Sequence, residues 1–357
     1  MQKTNQPLPP FSCTYSPNVP ELLHQLHCTL AISTYQAGKV VFISAKDNEK
    51  LVQLPRTFHK AMGIGLSGPK MALATMDEVL VLVNSPDLAA HYPKQPNTYD
   101  ALFMPRAAYF TGGIDIHDID FGGDTIYAVN TSFSCLIKID DNYSFTPVWK
   151  PPFITNLASE DRCHLNGMAL ENERPKYVTA FNQGNTFQSW REEVTTGGIL
   201  MDIETNELVA TGLAMPHSPR LFDGKLYLLL SATGELIQID RQSGKYEVVN
   251  KLKGFVRGLA RYGDYVFIGL SRLRKNSSTF AKLEIADQAQ EAGISILHLP
   301  TGAQVGYIQY HSSVEEIYDV QILPNMIRPG ILNTLKPEYK MGLSTPDTTY
   351  WARKAPE

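Results

Sequence analysis

The chain has 357 residues, 43% of them hydrophobic and 19% charged, with a formal net charge of -4. That apolar share is ample for a large core and excludes intrinsic disorder, coiled-coil and collagen-like architectures. With 32 basic residues against 36 acidic ones, nothing in the charge balance favours nucleic acid as a partner.

Residues 1–27 show no apolar stretch of the kind that heads a secretory signal. The longest apolar runs, 79–83 and 226–230, are five residues each, whereas a membrane-spanning helix needs about 20. No membrane partner is therefore expected. Four cysteines without a CxxC pair fit free thiols in a reducing cytoplasm.

Strands are expected at 29–34, 39–44 and 50–54, followed by a series of similar segments. His117-Asp-Ile-Asp-Phe-Gly-Gly-Asp-Thr-Ile-Tyr127 aligns without a gap on His217-Ser-Pro-Arg-Leu-Phe-Asp-Gly-Lys-Leu-Tyr227. Phe255 to Tyr265 repeats the spacing, His164 to Tyr177 repeats it with three extra residues, and segments from His59 and Ile317 are weaker copies. Units of roughly 40–60 residues with several short strands each are the signature of a β-propeller. One unit divides into four strands at 218–222, 225–231, 235–240 and 245–251, split by Gly-containing turns.

The copy at 317–323 supplies one strand and the N-terminal region three. The expected fold is thus all-β, a six-bladed propeller whose sixth blade is closed by N-terminal strands plus a C-terminal one. Residues 1–27 form an N-terminal extension, 28–324 the propeller and 325–357 a tail packed on it.

The inner strand of each blade lines the channel, so the alignment places His59, His117, His164 and His217 around one rim. Four converging imidazoles suit a divalent metal, with Fe, Cu or Zn favoured. Asp319 and Glu316 stand nearby as proton carriers, and both also suit Ca or Mg. Asn166, Arg220, Arg257 and Tyr318 are the expected substrate contacts. Long insertions at 182–197 and 272–293 emerge on the same face, where Trp190, with Phe187 and Arg191, is placed as a lid. The segment 84–100 belongs to the other face, and His24, His27, His91, His298 and His311 have no repeated place. GxSxG, GxGxxG, Walker and HExxH motifs are absent, and neighbouring residues on a strand face opposite ways, against a Cys163–His164 dyad.

The stretches EDRCHLNGM (160–168), GLAMPHSPR (212–220) and GFVRGLA (254–260) carry a resemblance over residues 35–324. The chain resembles an uncharacterised bacterial β-propeller family of unknown function, found in cyanobacteria and proteobacteria. More distantly, residues 166–169 are similar to the Asn-Gly motif of gluconolactonase-type propellers. That resemblance implies a divalent cation for lactone hydrolysis, with Asn166 and Asp319 as ligands. The histidine rim departs from that pattern and looks more like the four-histidine iron centre of the seven-bladed carotenoid-cleaving propellers.

Three functions follow as expectations. The first is a metal-dependent enzyme acting on a small polar or anionic molecule, by oxidation, hydrolysis or elimination. The second is a non-enzymatic propeller that binds a peptide or partner protein, its histidines fixing turns. The third keeps a Ca or Mg site on Asn166, Asp319 and Glu316 and makes the histidines substrate contacts. Assembly into homo-oligomers is left open.

Overall fold

The computed structural model describes residues 7–273, 280 and 283–352. Six of its sheets form blades of mainly antiparallel strands around a channel, and a seventh pairs only Gly342–Ser344 with Thr349–Trp351. The inner strands of the first five blades are Ile64–Ser67, Ile116–Gly122, Gly167–Glu171, Pro216–Phe222 and Phe255–Tyr262. In the sixth blade Asp319–Pro324 lies inside Cys28–Thr34, Lys39–Ala45 and Leu51–Thr57. Ile32 stands opposite Val320 there, so strands from both ends of the chain close the ring.

Turn chemistry sets the hairpins. The inner hairpin of the fourth blade turns at Asp223 and Gly224, both with positive φ, which matches the right-handed twist of the strands it joins. The fourth-blade strands lie within two residues of the expected bounds at each end.

Two blades carry a fifth strand. Cys13–Tyr15 pairs antiparallel with Ala303–Tyr310, and Pro329–Ile331 pairs parallel with Ala101–Phe110. Both additions are three residues long and too short for a period-2 pattern. They cover sheet edges that would otherwise offer unpaired backbone. A helix at Val19–Gln25 buries Val19 and Leu23 against Ile296 and Ile308. Among the described residues no helix is long and apolar enough to cross a membrane.

Hydroxyl groups stitch neighbouring blades together. Ser33, Thr131, Ser231 and Ser271 donate to the carbonyls of Met62, Leu165, Val256 and Ile317 in the next blade, at 2.5–3.1 Å. A second row of contacts runs from the next blade's backbone. Asp118 accepts from Met168 N, Ser218 from Gly258 N and Asp319 from Ile64 N, at 2.9–3.1 Å.

Gly258 lies on this seam with φ +76, and a Cβ there would stand 2.8 Å from Val320 N. Gly258→Ala therefore combines a left-handed penalty with a backbone clash, and a loss of about 2–4 kcal/mol is expected. A urea midpoint within error of the wild type would show that the seam opens freely.

Candidate functional site

The hairpin register, rather than the histidines, identifies equivalent positions. Met62, His117, Asn166, His217 and Arg257 each stand five residues before the last residue of their inner strand. Tyr318 takes the sixth place, because Asp319 after it accepts a backbone N–H as Asp118 and Ser218 do. In the third blade the turn falls on Asn172 and Glu173, both left-handed, so Asn166 matches His217 and His164 precedes the strand.

The expected ring of four histidines is accordingly corrected to an arc of three. His59 is exposed and borders an adjoining hollow of ≈ 890 Å³ that Asn333 and Leu335 also line. Met62, three residues on, lines the mouth instead. Among the described residues no three His, Cys, Asp or Glu side chains come together as a metal-holding group.

His117, His164 and His217 do line one cavity of ≈ 380 Å³ at the channel mouth. Each ring is held through Nδ1 by an acceptor. His117 Nδ1 meets Asp115 O at 3.1 Å, and His164 Nδ1 meets the Asp161 carboxylate at 3.0 Å. His217 Nδ1 meets Met215 O at 3.1 Å and Ser231 Oγ at 2.6 Å. The Ser231 proton goes to Val256 O, so that hydroxyl accepts from the imidazole. Carbonyls and carboxylates only accept, so each Nδ1 carries a hydrogen, which in the neutral imidazole leaves the lone pair on Nε2. His217 Nε2 is buried without a hydrogen-bond partner.

Burial, with Arg257 adding to it, pushes His217 well below the usual histidine range. Burial likewise pushes His117 down to about 3. A depressed folded pKa means the unfolded chain takes the proton first, so stability is lost as pH falls below 6.5. His117→Asn should remove about 2–3 kcal/mol of the stability lost between pH 6.5 and 4.5. Urea unfolding at the two pH values reads this; identical acid sensitivity in both proteins would contradict it.

Aromatic rings fill the spaces between the imidazoles. His164 lies 4.9 Å from His117, 4.5 Å from Phe181 and 4.5 Å from Trp190, and Phe181 lies 5.1 Å from His217. Trp190 is buried, and its Nε1 donates to Asp161 Oδ2 at 3.0 Å, fixing the carboxylate that holds His164. Phe187 stands exposed away from it, and Arg191 stacks over the Trp190 ring at 4.4 Å. In the second insertion, residues 274–279 and 281–282 lie outside the described residues.

Across the cavity the Arg257 guanidinium covers the Tyr318 ring at 4.0 Å. Among the described residues no carboxylate lies within ion-pair distance of it. Glu316 also lines the cavity and accepts from Gln36 Nε2 at 2.6 Å, and Lys60 pairs with Asp115 at 2.8 Å.

Three expected site residues lie elsewhere. Arg220 is not a cavity residue; it forms a two-point pair with Asp118 at 2.9 and 3.2 Å and approaches Asp319 at 4.0 Å. Asp319 is likewise occupied, accepting from the backbone of Ile64 and Val320. Asn166 accepts from Thr179 Oγ1 at 2.7 Å. A cation site on Asn166, Asp319 and Glu316 is thus not assembled, because Glu316 is at the mouth and Asp319 is engaged beside Arg220. Cys163 is fully buried, its thiol pushed up by that burial to about 12, so it is no nucleophile. Asp161, which the sequence reading passed over, had a signal in its place three residues before His164.

A search of curated proteins found no match. Among solved structures, a chain of a nidogen/laminin complex is similar with TM-score 0.53 and 10% identity. The match covers 84% of this chain and 99% of that chain, a likeness of fold. A catalytically inactive virginiamycin B lyase from Staphylococcus aureus, solved with quinupristin, is 13% identical with TM-score 0.42. It covers 87% of this chain and 97% of that one. The model of a domain of unknown function, DUF4915, matches residues 17–332, and the chain belongs to that family.

Proposed function

We propose that the channel mouth is an active site that holds a small anionic molecule on Arg257 and moves a proton with the Asp161–His164 pair. The observation that carries this reading is the pairing of opposites in one cavity. On one side an imidazole is oriented by a carboxylate and presents Nε2 as a base. On the other a guanidinium has no carboxylate partner among the described residues. A half-buried cation in that situation is stabilised by an anionic ligand. The reaction class is proton transfer in elimination or hydrolysis of a small polar acid.

The test is turnover, followed by NMR over a panel of small acids, esters and lactones, in the wild type and His164→Gln. The variant should be slower by about 10²–10⁴-fold on any compound the wild type converts. Equal rates would remove His164 from the chemistry.

A second reading keeps a divalent metal, held by His117 and His164 with open positions for water and substrate. It is favoured by the Nδ1 contacts, since metal-binding imidazoles are commonly oriented through the other ring nitrogen. Elemental analysis of protein purified without chelator decides it. About one iron, copper or zinc per chain, lost in His117→Ala, supports the metal, and its absence after reconstitution leaves the acid–base reading.

A further inference from the structure

The cavity's hydrogen-bonding polarity specifies more than an anion. We infer that its ligand is a polyhydroxylated carboxylic acid of about monosaccharide size, an inference that rests on the anion site at Arg257.

Each of the three imidazoles has its Nδ1–H committed to a fixed acceptor, so what the neutral ring offers a ligand at Nε2 is a lone pair, not a hydrogen. A ligand that satisfies them must bring hydrogen-bond donors. His217 Nε2 is buried without a partner in the cavity wall, and a ligand donor that reaches it would satisfy it. The Tyr318 hydroxyl, also buried without a partner, can complete a contact in either sense. At the other end Arg257 requires an acceptor of negative charge.

The donors are hydroxyls rather than an ammonium group. A bound ammonium calls for uncommitted carboxylates, and those near the cavity are engaged: Asp161 by His164 and Trp190, Asp115 by Lys60, Glu316 by Gln36. Phe181, Trp190 and Phe255 line the cavity between the imidazoles and make part of its wall apolar, which suits the C–H side of a hydroxylated chain or ring. The volume of ≈ 380 Å³ lies at the small end of ligand pockets, roughly 300–1,000 Å³, and limits the ligand to one such unit.

Calorimetric titration of the whole chain tests this with L-tartrate, D-gluconate and D-glucuronate, against succinate and D-glucose. At least one hydroxylated acid should bind tenfold or more tightly than both controls. Arg257→Met should weaken that binding by tenfold or more, Arg257→Lys by less, and His217→Leu should bring the hydroxylated acid down to the level of succinate. If succinate binds as well as the hydroxylated acids, the imidazoles do not read donors; the inference falls while the anion site stands. If no acid binds better than glucose, or none binds at millimolar concentration, the inference and the anion site fall together. Should Arg257→Met fail to fold, the Arg257→Lys and His217→Leu comparisons decide.

Discussion

Arg220→Met is expected to destabilise the protein by about 3–5 kcal/mol at pH 7, the loss found when one partner of a buried ion pair is removed. The guanidinium is fixed by two bonds to Asp118 and by the carbonyls of Met168 and Pro219. Asp118 belongs to the second blade and Arg220 to the fourth, so the pair ties inner strands across the channel. Asp319, from the sixth blade, stands 4.0 Å from the same guanidinium. Burial, only partly offset by Arg220, pushes both Asp319 and Asp120 up to about 6.

That shift has a definite sign. A carboxyl whose folded pKa is raised binds its proton more tightly when folded, so stability is gained as pH falls from about 7 towards 4. Without the Arg220 charge, Asp319 and Asp120 are pushed higher still. The deficit of Arg220→Met should therefore be largest near pH 8 and clearly smaller at pH 5. Urea unfolding at the two pH values reads the difference. A deficit independent of pH would mean that lost packing, not charge, is the cause.

Asp161→Asn should slow turnover by about 10²–10⁴-fold, the range of one acid–base group. The carboxylate accepts from both His164 Nδ1–H and Trp190 Nε1–H. An asparagine has a single oxygen. If it goes to Trp190, the amide nitrogen faces Nδ1 and donates to it, which moves the imidazole hydrogen to Nε2 and removes the lone pair from the cavity. The fold should lose about 1–3 kcal/mol, the price of one poorly satisfied buried group. Unchanged turnover, or an unchanged tautomer by nitrogen NMR, would separate Asp161 from the chemistry.

The fold was readable because the repeat carries its own punctuation. Gly-containing turns such as Asp223-Gly224 separate the strands of the fourth blade, and the leftover strands at both ends of the chain add up to one blade. The three-residue edge strands at Cys13–Tyr15 and Pro329–Ile331 carried no such signal, since their pairing depends on blades far away in sequence. The site was read less well for a related reason. Aligning on histidine placed His59 and His164 at the rim position, whereas strand pairing places Met62 and Asn166 there. His164, itself left-handed and outside the strand, still lines the cavity. Arg220 looked like a substrate anchor because its partner, Asp118, lies 102 residues away and no local pattern connects them.

The central claim is that three imidazoles lining one cavity all carry their hydrogen on Nδ1, held there by fixed acceptors. Long-range proton–nitrogen correlation NMR on histidine-labelled protein, assigned by single substitutions, measures this directly. At pH 7 His117, His164 and His217 should all show the Nδ1–H tautomer, with His117 and His217 unprotonated down to pH 5. An Nε2–H tautomer at His164, or titration of His117 and His217 near pH 6.5, would contradict the account.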